Sequence, residues 1–92
     1  MPRISLFYGI AVYMYFRDHA PPHFHAIYAE HDAQIEIATG KIIEGKLPRR
    51  VRSLVKQWTE LHRAALLADW DLARAEQTLE PIPPLAGGKG LL

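Results

Sequence analysis

The 92-residue chain contains no cysteine. Disulfides, thiolate metal ligands and a cysteine nucleophile are thereby excluded. No apolar run approaches the ~20 residues of a membrane span. The opening Met1-Pro2-Arg3-Ile4 lacks the apolar segment of a secretory signal. With cysteine absent as well, the cytoplasm is the expected compartment. An excess of one charge is also missing. The net charge is +1, so bulk electrostatics do not argue for nucleic acid, and a polyanion site would have to rest on local clustering. There is no phosphate-binding glycine loop, no Ser/His/Asp arrangement, no internal repeat and no long linker. The remainder is 49% hydrophobic and 23% charged, a normal balance for a soluble globular chain. The length implies one domain with a modest core. Residues 1–85 are assigned to it, and "AGGKGLL" at 86–92 is read as a mobile tail.

Hydrophobic periodicity predicts an α+β domain. "IAVYMYF", Ile10–Phe16, is β-branched and aromatic and reads as a strand. "HFHAIYA", His23–Ala29, follows the "RDHAPP" turn with period 2. "EHD" reads as a hairpin connection, and "AQIEIA", Ala33–Ala38, as a half-buried strand. Gly40 in "TGK" is expected at positive φ, and "IIEG" reads as a short fourth strand. The pattern is an antiparallel meander of three to four strands. From Pro48 the period becomes helical. Val51, Leu54, Val55, Trp58, Leu61, Ala65 and Leu66 mark one face of a helix of about five turns, and Val51, Leu54, Val55, Trp58 and Leu61 are expected to pack on the sheet. Asp69 is the candidate cap of a second, shorter helix with Trp70 and Leu72 inward. "PIPP" ends all helix.

The densest chemistry lies in "HAPPHFHA", residues 19–26, which holds three of the five histidines. On a strand, His23 and His25 share one face and Phe24 takes the other. That face is expected to carry Tyr13, Tyr15, His23, His25, Gln34 and Glu36, with Ile27 among them. Val12, Met14, Phe16, Phe24, Ala26, Tyr28, Ile35 and Ile37 are expected in the core. Two imidazoles so placed can share a metal such as zinc, with His19 as the third ligand. If the prolines hold the corner in polyproline geometry, the four residues from His19 span about 12 Å. His19 then joins only if the Asp18–Ala20 turn folds back. Alternatively, His23 and His25 form an acid–base pair for phosphodiester cleavage, with Arg17, Arg49, Arg50 or Arg52 stabilising phosphate charge. A third reading is structural: the imidazoles bond backbone and fix the corner. His31, placed in a hairpin, and His62, on the helix, read as solvated or locally bonded.

"LPRRVRSLVK" puts Arg49, Arg50, Arg52 and Lys56 at the start of a helix, where the dipole disfavours cations. Free amides and arginine forks at such a place suit a phosphate or carboxylate. The plain alternative is a solvated face balanced by Glu44 or Glu60.

The segments "MPRISLFYGIAVYMYFRDHAPPHFHA", "IEIATGKIIEGKLPRR" and "LVKQWTELHRAALLADWDLAR" resemble a bacterial domain-of-unknown-function family, number 4160, with the signature His-x-Pro-Pro-His-Phe-His-Ala. The resemblance runs from Met1 to about Leu85. It implies that His19, Pro21, Pro22, His23, His25, Arg49, Arg50, Trp58 and His62 matter. It also implies a small protein partner encoded nearby, in a toxin–antitoxin-like two-gene arrangement, and some members carry the label of transcriptional regulator. It assigns no reaction. The expectation is a cytoplasmic component of such a module, acting through a protein or nucleic-acid partner. The alternative is a histidine-based nuclease or metal-dependent hydrolase using His19, His23 and His25.

Overall fold

Tyr8 and Gly9 both take positive φ, 52° and 76°, the left-handed pair that a two-residue hairpin turn needs. They join β1 (Arg3–Phe7) to β2 (Ile10–Tyr13). β3 (His23–Tyr28), β4 (His31–Glu36) and β5 (Ile42–Gly45) follow, then α1 (Arg49–Leu61) and α2 (Arg63–Arg74). This computed structural model describes residues 2–85, so the expected tail at 86–92 lies outside the described residues. All strands are antiparallel and stand in chain order, β1-β2-β3-β4-β5.

The expected α+β meander is present, with five strands instead of three to four. β1 escapes the period-2 reading because a bulge interrupts it. Arg3 pairs with Tyr13 but Ser5 with Val12, so Ile4 and Ser5 are both buried and the alternation is lost. β2 ends at Tyr13, not Phe16. Beyond it Arg17 turns left-handed, with φ 57°, and its N–H donates to the Ala73 carbonyl of α2. Phe16 is thereby left exposed and not in the core. β4 begins at His31, because the hairpin connection is only Ala29–Glu30. Gly40 takes the expected positive φ.

Both expected helices are present, but the break between them falls at His62 and not near Asp69. Thr59 donates its hydroxyl to the Val55 carbonyl, 2.7 Å away, a side-chain bond to residue i−4 that bends helices. Three residues later His62 leaves helical geometry, at φ −120° and ψ 24°. The bend turns Leu61 to solvent, 67% exposed, against the expected burial, and Ala65 is also exposed while Leu66 remains inside. Val51, Val55 and Trp58 are buried as expected, and Leu54 is half-buried against them. The Trp58 ring lies 5.1 Å from Phe7 and 5.6 Å from Phe24, edge-on to the latter. Its indole N–H donates to the Pro83 carbonyl at 2.8 Å. That contact ties down a strap after α2 in which Leu79, Ile82 and Leu85 are buried and the Ile82 N–H bonds the Ile4 carbonyl of β1.

Asp69 does not cap a helix. It lies inside α2, fully buried, with Oδ1 accepting the Glu80 N–H at 2.9 Å and Oδ2 unpaired. Burial, followed by the nearby Glu80 charge, outweighs the Glu80 N–H bond and raises its carboxyl above the ordinary range. The folded state therefore holds this proton more tightly than the unfolded state. The associated stability is fully present below the ordinary carboxyl value and is lost as pH rises through the folded value. Asn at this position keeps an acceptor for Glu80 and removes the buried charge. We expect the melting temperature of Asp69→Asn to gain on that of the parent between pH 4 and 7. A constant difference across that range would reject this account of Asp69.

Candidate metal centre

The turn between β2 and β3 folds back on itself through local side-chain-to-backbone bonds. Asp18 Oδ1 accepts the His19 N–H at 2.9 Å. His23 Nδ1 lies 2.7 Å from the Pro21 carbonyl and His19 Nδ1 3.2 Å from that of Ala20. The Ala20–Pro21 peptide is cis. The His19 and His23 rings stack 5.1 Å apart, well inside the ~12 Å that four residues of polyproline geometry would span.

From the Pro corner β3 runs as the period requires. Phe24 pairs with Ile35 on the core face, while His23 lies opposite Glu36 and His25 opposite Gln34 on the other. Tyr13, His25, Gln34 and Glu44 are successive cross-strand partners and form one row. His23 nevertheless is not solvated. Its side chain is 0% exposed, because Trp70 of α2 covers it with ring centroids 5.4 Å apart.

Asp18, His23 and His25 converge. Asp18 Oδ2 lies 3.0 Å from His23 Nε2 and 3.3 Å from His25 Nε2. All three donor atoms fall within 4.8 Å of one another, and Asp18 and His25 are only 17% and 11% exposed. His19, expected as a third ligand, stands one step outside. Its Nε2 is 3.7 Å from Asp18 Oδ1, and its ring is 69% exposed. Asp18 had a signal in the sequence, a carboxylate five positions before His23 and seven before His25, but a search for histidines alone passes over it.

Protonation follows from the bonding. A carbonyl only accepts, so His23 Nδ1 must carry the proton given to Pro21. Nε2 then faces the Asp18 oxygen with either a second proton or a lone pair. In both cases a cation has to sit between nitrogen and carboxylate. Burial raises the Asp18 carboxyl, but the His19 N–H, the His25 bond and the charges of His23 and His19 outweigh it. The group is held below the ordinary range and is a carboxylate at neutral pH.

A cleft of about 380 Å³ opens beside His25, lined by Tyr15, Asp32, Gln34 and Glu44 among others. The Tyr15 ring is 4.2 Å from that of His25. Burial, then Asp32, Tyr13 and Asp18, raises the Tyr15 phenol above its usual range, so it remains a neutral donor.

The arginines expected to serve this site lie elsewhere. Arg17 pairs with Glu76 at 3.1 Å, both exposed. Glu76 is placed there by the end of α2: its φ is 57°, its N–H bonds Ala73 and the next N–H, of Gln77, bonds Leu72, a left-handed helix terminus. Arg49, Arg50 and Arg52 line clefts on α1 that include none of Asp18, His23 and His25. Neither Glu44 nor Glu60 pairs with any of them among the described residues. His31 lies 3.7 Å from Glu30 at the start of β4, and the His62 ring is 5.6 Å from Trp58 at the helix junction. No described helix is long and apolar enough to cross a membrane.

Comparison with curated proteins gives no match, and comparison with solved structures gives none either. A family model described as "Domain of unknown function (DUF4160)" matches residues 9–71. This range is shorter at both ends than the resemblance read from the sequence. It contains β2 to β5, α1, most of α2 and the whole histidine corner. The chain belongs to this DUF4160 family.

Proposed function

We propose that Asp18, His23 and His25 hold a divalent transition metal such as zinc, and that the protein is a metal-dependent hydrolase. The observation that carries this reading is the convergence of two imidazole Nε2 atoms on one carboxylate oxygen, with His23 Nδ1–H fixed on a backbone carbonyl. Ligands about 2.0–2.2 Å from zinc stand roughly 2.8–3.6 Å apart for angles between octahedral and tetrahedral. The two contacts of Asp18 Oδ2, 3.0 and 3.3 Å, fall in that interval. The outer bonds suit it as well. Metal-binding histidines commonly give their second N–H to a carbonyl, and ligand carboxylates are themselves hydrogen-bonded.

Two histidines and one carboxylate leave coordination positions open, the pattern of catalytic sites more than of closed structural ones. An ion held by these three residues would supply Lewis acidity and acidify a water bound to it. Tyr15 is placed to donate to a substrate in the adjoining cleft. A metal-free acid–base pair is less well supported, because the wholly buried His23 ring cannot exchange protons directly with a substrate in the cleft.

The test is the metal content of the full chain purified without chelator, followed by removal and calorimetric titration with zinc. One equivalent per chain is expected, together with metal-stimulated cleavage of RNA or a chromogenic phosphodiester. Absence of saturable binding would overturn the metal reading. Binding without turnover would overturn the hydrolase. A second reading is a cytoplasmic component of a toxin–antitoxin-like pair, acting through a protein or nucleic-acid partner. It is supported by the cations on α1, none of which makes an ion pair among the described residues.

A further inference from the structure

Charge is unevenly distributed in this chain. Residues 41 to 56 contain six cations, Lys41, Lys46, Arg49, Arg50, Arg52 and Lys56, against one carboxylate, Glu44. This segment therefore carries +5 in a chain of net charge +1. All six cations are exposed, and none makes an ion pair among the described residues.

The fold gathers them around a concave surface. Three clefts of about 360, 480 and 450 Å³ share their walls, the first two through Arg49 and Ser53, the first and third through Ile42 and Arg52. Together they form one groove around the first half of α1 and the β5 edge. Among the described residues, no aromatic side chain and no carboxylate lines it. Within the groove α1 begins after Pro48 with no side-chain cap and no acidic residue in its first turn. Arg49 and Arg52, and Arg52 and Lys56, repel at the i,i+3 and i,i+4 spacings, and the helix dipole opposes the cations nearest its start. A bound anion relieves both.

We propose that this groove binds the phosphate backbone of a nucleic-acid duplex. Lysine, arginine and serine donors match phosphate oxygens. Among the described residues the lining offers no aromatic side chain on which the bases of a single strand could stack; its apolar members, Ile42, Leu47 and Leu54, stand among six cations, a charge density that suits a polyanion and not the charge-depleted core of a protein interface. A duplex keeps its bases paired inside and presents phosphates outward, so backbone contacts suffice and recognition is independent of sequence. Asp18, His23 and His25 do not line the groove, so the proposal stands apart from the metal centre.

The experiment is fluorescence-anisotropy binding of the full chain to labelled DNA and RNA duplexes, with chelator present so that no metal bridges phosphates. The logarithm of the association constant should fall linearly with the logarithm of salt, with a slope of about −3 to −5 for three to five contacts. The Arg49→Ala, Arg52→Ala variant should lower that slope by about two. Arg49→Glu with Arg50→Glu should abolish binding while the melting temperature stays equal or rises, because carboxylates suit a helix start. Preference for either duplex supports the proposal. No duplex binding at low salt, tighter binding of a single strand, or equal capture of polyglutamate would overturn it.

Discussion

Trp58→Ala is expected to lower the unfolding free energy by about 3–5 kcal/mol, the usual cost of emptying a large buried aromatic site. For a domain of this size, total stability is on the order of 5–15 kcal/mol, so the variant should be close to half unfolded at modest denaturant. Several losses combine here. The ring is 0% exposed and packs on Phe7 of β1 and Phe24 of β3, so its removal leaves a void across two strands. Its N–H also holds the Pro83 carbonyl, and with it the strap that buries Leu79, Ile82 and Leu85. Trp58→Phe separates these terms. It keeps most of the ring contact and loses the hydrogen bond, worth about 0.5–1.5 kcal/mol, with some volume besides. Urea unfolding of the two variants should place Trp58→Phe between the parent and Trp58→Ala. A Trp58→Ala midpoint near that of the parent would contradict the packing described.

Most of this core was legible because periodicity reports which face is inside. Val12, Met14, Phe24, Ala26, Ile35, Ile37, Val51, Val55 and Trp58 are interior, as the periods predict. The shared face of His23 and His25 came from the same period. What failed was local backbone chemistry that period cannot register. A bulge at Ile4 hid β1, one threonine hydroxyl bent the helix and put Leu61 in water, and a left-handed Arg17 ended β2 early. The candidate site divides in the same way. Two of its candidate ligands repeat along a strand. The third, Asp18, comes from a turn whose fold-back depends on bonds to the His19 N–H and the Pro21 carbonyl. The cover over His23 is Trp70, distant in sequence, so the burial of an imidazole expected on the open face could be known only from the tertiary arrangement.

Asp18→Asn is expected to remove tight zinc binding while leaving the metal-free fold close to that of the parent. Loss of a ligand carboxylate should weaken affinity by at least about 100-fold, the upper end of what even outer-shell changes cost. The apo protein should tolerate the change for a reason specific to this corner. The amide oxygen can still accept the His19 N–H, as Oδ1 does now. The amide NH₂ replaces Oδ2, the atom 3.0 Å from His23 Nε2 and 3.3 Å from His25 Nε2, and can donate to a neutral imidazole there. The metal-free melting temperatures should therefore agree within the equivalent of about 1 kcal/mol, one ordinary hydrogen bond. Zinc should separate them. At a hundred times its dissociation constant a ligand adds about 2.7 kcal/mol, roughly 10–20 °C for a domain of this length. Such a rise is expected for the parent and not for Asp18→Asn or His25→Ala at the same zinc concentration. An equal rise in all three would place the metal elsewhere on the chain. No rise in the parent would leave Asp18, His23 and His25 as a hydrogen-bonded corner in which the cation between nitrogen and carboxylate is a proton.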